Sequence, residues 1–293
     1  MHRILRLSVL GLAAAATMSA CKPEEVIKTE DIPTAGVRFI NAVPDSAGAF
    51  GLDFRFVDIV ESNAQFRVTF RNGPTTSGGI TAATLTQYKA ARAGSARHFV
   101  IFLDDTIQAI ASTKLKDSTL NLEAGKNYTI LLQGSARAGQ MQLKVIEENV
   151  PDPAAKVAIR IMNTTNAPID ASQYLSTGTA PGTPTWANIP AYGVSSYIQV
   201  DPSSNTAQHK IKVRAAGGAT DLFADVTVLR GAVASSSLGA GGKLDIPPIP
   251  GTDVAGSAVT LIVFPASTAG SRAAQFSAIG GAFVWDRRPP VGF

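Results

Sequence analysis

The sequence predicts an all-β protein built from two tandem antiparallel β-sandwich domains. Charged residues make up only 16% of the 293 residues, whereas 26 glycines and 17 prolines supply turns. This composition is typical of extracytoplasmic β-proteins and poorly suits a helical fold. Short apolar segments of alternating polarity recur along the chain, as in half-buried strands. The second half also repeats patterns of the first half, which indicates two related domains.

Residues 1–20 have the layout of a secretory signal peptide. Arg3 and Arg6 form a basic start, an apolar run follows, and small residues precede Cys21, the only cysteine of the chain. A transmembrane anchor would need about 20 consecutive apolar residues, and this run is shorter. The last four residues of the stretch resemble the lipobox of bacterial lipoproteins, with Met18 where that family prefers leucine. In that family the cysteine is diacylated, so we predict lipidation of Cys21.

The rest of the chain divides into a tether and two domains. We predict a lipidated Cys21 with a polar tether over residues 21–35, a first domain over 36–150, and a second domain with a C-terminal tail over 151–293. Two acyl chains hold a protein stably on a membrane, whereas one does not. Lys22, in place of aspartate, resembles lipoproteins that are sent to the outer membrane. We therefore expect an extracytoplasmic protein anchored in the outer membrane, on its periplasmic face or at the cell surface.

The charge balance and the single cysteine limit the class of protein. The formal charge of +4 falls to +2 when Arg3 and Arg6 leave with the signal peptide, so binding to nucleic acid is not expected. With lipid on Cys21, no disulfide is available within the chain, although the compartment would permit one. Stability must therefore come from packed sheets.

The first domain contains segments with the pattern of strands. Residues 52–58 alternate with period two, which places a leucine and two phenylalanines on one face of a half-buried strand. The chain is predicted to turn near the aspartate pair at 104–105, and the only mild helix candidate is 82–96, which Gly94 limits. We predict the other strands of this domain at residues 37–43, 66–70, 98–103, 106–112, 120–122, 128–133 and 141–147.

Two prolines at 151–153 mark the boundary between the domains, because this spacing suits neither a helix nor a central strand. The segment 159–163 then matches 37–41 in residue type, position by position. A Ser/Gly/Ala-rich loop is predicted at 232–242. We predict further strands at residues 195–200, 210–214, 221–229 and 283–285.

The match between the two halves continues further along the chain. Residues 253–262 echo 121–131, with an Ala-Gly pair at the same offset before an apolar strand, and Tyr192 is predicted to correspond to Tyr88. The offsets differ, so the copies carry insertions. A period above about 100 residues indicates tandem domains rather than a solenoid.

Short motifs in both halves resemble the bacterial family DUF4397, a domain of unknown function. They are the run Asn41–Ser46, the pair Tyr192–Gly193 leading through Ser196-Tyr197, and the closing Ala-Gly turn before a strand. The resemblance covers roughly residues 36–147 and 156–272. It implies immunoglobulin-like sandwiches, often in tandem and typically secreted or lipid-anchored. It implies no activity and no functional residues.

The search for catalytic and metal-binding patterns finds little. His98 and His209 lie in different domains without a partner at metal-ligand spacing. The serine pair at 195–196 has only His209 as a nearby base, and no Gly-x-Ser-x-Gly elbow is present. Residues 239–244 resemble a P-loop but lack its first glycine and its hydroxyl residue. We therefore expect no metal, no cofactor and no enzymatic activity.

Two features of the second domain are candidates for ligand binding. Lys210, Lys212 and Arg214 fall on one face of a strand, either as a solvated outer face or as a cationic stripe for anionic glycans or lipid headgroups. Trp186 and Trp285 are either sugar-stacking platforms or parts of the core and rim.

The leading hypothesis is a lipid-anchored envelope protein with a non-enzymatic binding, adhesion or structural role. Its partners would be the membrane, through the lipid on Cys21, and a glycan or an envelope protein. The alternative is a carbohydrate-active or other hydrolase that uses carboxylates such as Asp53 and Asp58. Such an enzyme needs two carboxyl groups about 5–10 Å apart in a cleft.

Overall fold

The computed structural model describes residues 32–45, 51–59, 71–72, 88–239, 242–268 and 278–289. The chain divides into two compact units, Met1–Pro33 and Thr34–Phe293, and the fold given below is that of the second unit. The signal peptide, Cys21, most of the tether and the predicted strand at 66–70 lie outside the described residues. Within the described ranges, no helix is long and apolar enough to cross a bilayer.

Nearly all regular structure in the second unit is β-strand. The first half contains β1 (Thr34–Ala42), β2 (Gly51–Phe56), β3 (Arg71–Asn72), β4 (Lys89–Arg92), β5 (Gly94–Asp104), the short helix α1 (Gln108–Ala111), β6 (Lys114–Leu122), β7 (Asn127–Gln133) and β8 (Gln142–Glu147). The second half contains β9 (Val157–Asn163), β10 (Ile169–Leu175), β11 (Trp186–Ile189), β12 (Ile198–Val200), β13 (His209–Ala215), β14 (Val226–Thr227), β15 (Ser235–Gly239), β16 (Gly242–Ile246), β17 (Ala258–Phe264) and β18 (Gly280–Arg287).

The strands form two sandwiches with the same strand order. In the first, an inner sheet β4-β1-β7-β8 packs on an outer sheet β3-β2-β5-β6. In the second, an inner sheet β12-β9-β17-β18 packs on an outer sheet β11-β10-β13-β14. The β15–β16 hairpin is a separate two-stranded sheet. The predicted all-β sandwich fold is thereby confirmed, and the immunoglobulin-like type stays a prediction.

One feature of the sheets differs from the expected antiparallel arrangement. β1 pairs with β7, and β9 pairs with β17, in parallel. Parallel neighbours require a crossover connection. Here the chain between β1 and β7 forms β2, β3, β5 and β6 in the outer sheet and β4 at the edge of the inner sheet.

Four segments differ from the sequence prediction. Of the strand predicted at 221–229, only β14 (Val226–Thr227) forms. The predicted strand at 106–112 is wrong: Asp105 Oδ1 accepts from the Ile107 amide at 2.9 Å, α1 follows, and β6 is the strand that pairs with β5. The described part of the helix candidate 82–96 consists of β4 and the start of β5. The predicted loop at 232–242 contains β15, which pairs with β16.

Each sandwich has its own apolar core. In the first, Phe39 of β1 stacks on Phe99 of β5 with ring centroids 5.5 Å apart, and Phe54 and Phe56 complete an aromatic cluster. The second core is mostly aliphatic, and its aromatic side chains include the buried Trp186. Aromatic pairs of this geometry add stability beyond the area that they bury.

The inner sheets are also buried on their other face, where they pack against each other. Every residue of β9 and β17 is buried, as expected for strands covered on both sides. The result is four stacked sheets with a seam between the two inner ones. A third apolar cluster fills this seam, formed by Ile40, Ala42, Leu131, Met162, Ile262, Phe264, Ala282 and Val284.

Candidate functional site

The predicted cationic stripe lies on β13 of the second outer sheet. Lys212 Nζ is 2.6 Å from Asp221 Oδ2 and 3.0 Å from Asp225 Oδ1, and Arg214 Nε is 2.7 Å from Asp221 Oδ1. The hydrogen bonds that Lys212 donates to Asp221 and Asp225 raise its pKa above its usual value. Only Lys210 of the stripe has no carboxylate partner among the described residues. The stripe is therefore largely neutralised by its own neighbours.

Trp186 lies in the core of the second sandwich. Its side chain is buried, and its indole N–H donates to the Ser196 carbonyl oxygen at 3.0 Å. This position leaves the ring without an exposed face on which a sugar would stack. The three side chains of the stripe and Trp186 are thus not brought together into one site.

The aspartates of the hydrolase alternative are held in separate ion pairs. Asp53 accepts from Arg55, and Asp58 accepts from Arg97 at 2.8 Å. Burial acts to raise the pKa of Asp58, but hydrogen bonds from Arg97 and the His98 backbone, together with the charge of Arg97, lower it below its usual value. In the described part of the chain, no three His, Cys, Asp or Glu side chains are grouped as for a metal ion.

The seam between the inner sheets contains a buried polar cluster that the sequence did not predict. We call it the arginine–carboxylate network, and its charged members are Arg38 of β1, Arg160 of β9, Glu148 after β8 and Asp286 of β18. Both carboxylate side chains have no exposed surface, and Arg38 is 1% exposed. Two positive and two negative charges balance one another inside the protein.

Arg38 is the member with the most contacts. Its Nη2 is 2.7 Å from Asp286 Oδ1 and 3.0 Å from Glu148 Oε1. Its Nη1 donates to the Trp285 carbonyl oxygen at 2.8 Å, and its Nε donates to Thr129 Oγ1 at 2.8 Å. The guanidinium thus uses donors toward both sandwiches, which ties one inner sheet to the other.

Arg160 makes the corresponding contacts from the second sandwich. Its Nη2 is 2.6 Å from Glu148 Oε2 and 3.6 Å from Asp286 Oδ1. Its Nε donates to Thr260 Oγ1 at 2.7 Å. Tyr88 lies 4.7 Å from the Arg38 guanidinium, and Tyr197 covers Arg160 in the same way at 4.6 Å.

The strand registers show that these residues are equivalent in the two sandwiches. Arg38 is opposite Thr129 in the β1–β7 pair, and Arg160 is opposite Thr260 in the β9–β17 pair. Tyr197 immediately precedes β12, as Tyr88 precedes β4. Tyr197 is therefore the counterpart of Tyr88, and the predicted correspondence with Tyr192 is wrong.

The network keeps both arginines charged despite their burial. Burial alone would lower the pKa of Arg38, but Tyr88, Asp286 and Glu148 raise it above its usual value. The pKa of Arg160 is raised by the same two carboxylates against the same effect of burial. Buried charges are tolerated in proteins when they are paired and hydrogen-bonded in this way.

A cleft opens beside this network, where the first inner sheet meets the end of β18. We call it the seam cleft. It has a volume of about 460 Å³ and is lined by Tyr88, Asn127, Trp285, Asp286, Arg287 and Arg288. Clefts of about 300–1,000 Å³ are typical of small-molecule sites.

The lining of the seam cleft offers more hydrogen-bond donors than acceptors. The indole N–H of Trp285 is buried and has no partner among the described residues. The Arg288 guanidinium lies 5.7 Å from the Trp285 ring and pairs with no described carboxylate. Arg287 Nη2 is 2.7 Å from Asp152 Oδ2. The Asp286 carboxylate accepts from Arg38 and from Thr260, so both of its oxygens are already bonded.

The sequence carried one signal for the network. Arginine occupies the same position inside two apolar strands, in Val37–Asn41 and in Ile159–Asn163. A charged residue repeated at the centre of such strands indicates a buried ion pair. Its carboxylate partners are not visible in the sequence, because Asp286 is 248 positions from Arg38.

Comparison with known families supports the resemblance found in the sequence. Residues 35–170 match the model of DUF4397, a domain of unknown function. The match spans the first sandwich and continues through β9 into β10. A search of curated proteins found no match for the chain. Residues 35–170 are therefore similar to the DUF4397 family.

Proposed function

We propose that this protein is a lipid-anchored envelope protein with a non-enzymatic role in binding. Cys21 carries the lipid that holds it at the outer membrane, and the two sandwiches form the part that meets a partner. The sequence supports the anchor through the signal-peptide layout and the lipobox-like residues that end at Cys21. The DUF4397 match is in keeping with this role but assigns no activity.

The observation that carries the binding role is the composition of the seam cleft. Its only lining carboxylate, Asp286, is held by Arg38 and Thr260. A general acid or base must exchange its proton during the reaction, and a carboxylate in two such hydrogen bonds is poorly suited to this. The Arg288 guanidinium, which pairs with no described carboxylate, is instead a group that binds.

No observation favours the hydrolase alternative. Asp58 has a lowered pKa, whereas the acid of a glycosidase needs a raised one. Asp53 is paired with Arg55 on the same strand. We expect no turnover of a panel of chromogenic glycosides and esters. Hydrolysis that disappears in an Asp58→Asn variant would contradict the proposal.

The anchor is tested by mass spectrometry of the mature N-terminus and by cell fractionation. We expect diacylglycerol on Cys21, and we expect Cys21→Ala to move the protein out of the membrane fraction. Met18→Leu is the matched control, because it keeps a lipobox-like sequence and should leave the protein in the membrane fraction. An unmodified N-terminus cut at another position, with Cys21→Ala distributed like the wild type, would refute the anchor.

A further inference from the structure

We propose that the seam cleft binds an acidic sugar, with Arg288 holding the carboxylate and the Asn127 amide holding a ring hydroxyl. This inference rests on the binding role proposed above and names the ligand class for that role.

The first argument is the position of Trp285, which forms the apolar floor beside Arg288. Its ring packs in the core of the second sandwich, and its indole N–H is buried. The ring also lies 5.7 Å from the Arg288 guanidinium, and the residue lines the seam cleft. A ligand held by Arg288 would therefore lie close to this ring, which makes Trp285 a reporter of binding.

The second argument is the charge of the cleft. Asp286 is neutralised by the network, and Arg287 is paired with Asp152. Arg288 contributes a positive charge that no described carboxylate balances. A guanidinium binds a carboxylate through two parallel hydrogen bonds, so the charge and its shape both select an anion with a planar oxygen pair.

The third argument is the neutral part of the lining. The side-chain amide of Asn127 makes no hydrogen bond with another described residue, and it both donates and accepts. The Tyr88 ring adds an apolar wall beside it. Groups of this kind bind hydroxyls and the apolar faces of sugar rings. A cleft of about 460 Å³ is also larger than a simple carboxylate needs.

The test uses the full-length lipidated protein in detergent, labelled with nitrogen-15. The chain has two tryptophans, so its spectrum contains two indole N–H signals, which Trp285→Phe assigns. D-Glucuronate should shift the Trp285 signal in a saturable way and leave the Trp186 signal in place. D-Glucose lacks the carboxylate and acetate lacks the sugar, so each should bind at least about tenfold more weakly.

The variants separate the seam cleft from the cationic stripe. Arg288→Gln should weaken glucuronate binding about tenfold or more, and Arg288→Lys should restore part of it. Lys210→Gln removes the unpaired cation of the stripe and should leave binding unchanged. Because Arg288 is exposed, its loss should not affect folding, which the unchanged Trp186 signal would verify.

Four results would overturn the inference: no shift of the Trp285 signal, equal binding of glucose, equal binding of acetate, or loss of binding in Lys210→Gln instead of Arg288→Gln. These failures differ from a failure of the anchor. A protein that passes the Cys21 test and does not bind glucuronate keeps its place in the envelope and loses only this ligand.

Discussion

Replacing Arg38 with methionine keeps the volume of the side chain and removes the charge that faces both buried carboxylates. The guanidinium donates to Asp286, Glu148, Thr129 and the Trp285 carbonyl oxygen. Arg160 remains 2.6 Å from Glu148 but 3.6 Å from Asp286, so Asp286 is the group left short of a partner. The network then has one positive and two negative charges.

Removing one partner of a buried ion pair costs about 3–5 kcal/mol. For a folded unit of this size, each kcal/mol lowers the melting temperature by about 2–4 °C, so Arg38→Met should melt roughly 6–20 °C below the wild type. Arg214→Met is the matched control, because Arg214 and its partner Asp221 are both partly exposed and Asp221 keeps its ion pair with Lys212. Its cost should be about 0–1 kcal/mol. The melting temperature and the unfolding free energy of each variant are measured by thermal and urea unfolding, followed by circular dichroism.

A double variant distinguishes charge imbalance from lost packing. Arg38→Met with Asp286→Asn restores neutrality, and we expect it to recover about half of the lost stability. The reasoning would be refuted if Arg38→Met were as stable as Arg214→Met. It would also be refuted if neutralising Asp286 lowered the stability further.

The remaining predictions concern three other parts of the fold. A Cβ on Gly251 would lie 2.0 Å from a backbone nitrogen, so Gly251→Ala should lower the unfolding free energy by about 1–3 kcal/mol in urea titrations. Gly182→Ala is the control and should leave it unchanged, because a Cβ there meets nothing within 4 Å. Phe99→Ala should cost about 3–5 kcal/mol by the same measurement, and a cost below 1 kcal/mol would contradict the aromatic core. Because Arg97 lowers the pKa of Asp58, this pair stabilises the fold at pH values above the unfolded pKa of about 3.9. That stabilisation is lost as the pH falls through the lower pKa of the folded state. Asp58→Asn should therefore flatten the acid limb of the stability curve, and an unchanged limb would rule out this contribution.

The sequence predicted the sheets better than it predicted how they stack. Alternation gave β2 and β8, and the repeat gave β1 and β9 at matching positions. The nearly continuous apolar runs of β7 and β17 also carried information, since strands covered on both faces lose their alternation. They mark the inner sheets.

The candidate site could not be predicted because it forms between distant segments. Tyr88, Asn127 and Arg288 come together only when the two inner sheets stack. The stripe on β13 was visible because its residues are neighbours in sequence. Its partners, Asp221 and Asp225, follow β13 in a segment that was predicted as a strand, so their neutralising effect was missed.

The reciprocal contacts of the network have the form of an isologous dimer interface. Arg38 reaches Asp286 of the second sandwich, and Arg160 reaches Glu148, which follows the last strand of the first. In a homodimer the two contacts would be made by identical residues, so one mutation would change both contacts at once. Because the two sandwiches here are parts of one chain, a mutation in one sandwich leaves the sequence of the other unchanged. One acid is glutamate and the other aspartate, and the seam cleft lies beside the aspartate.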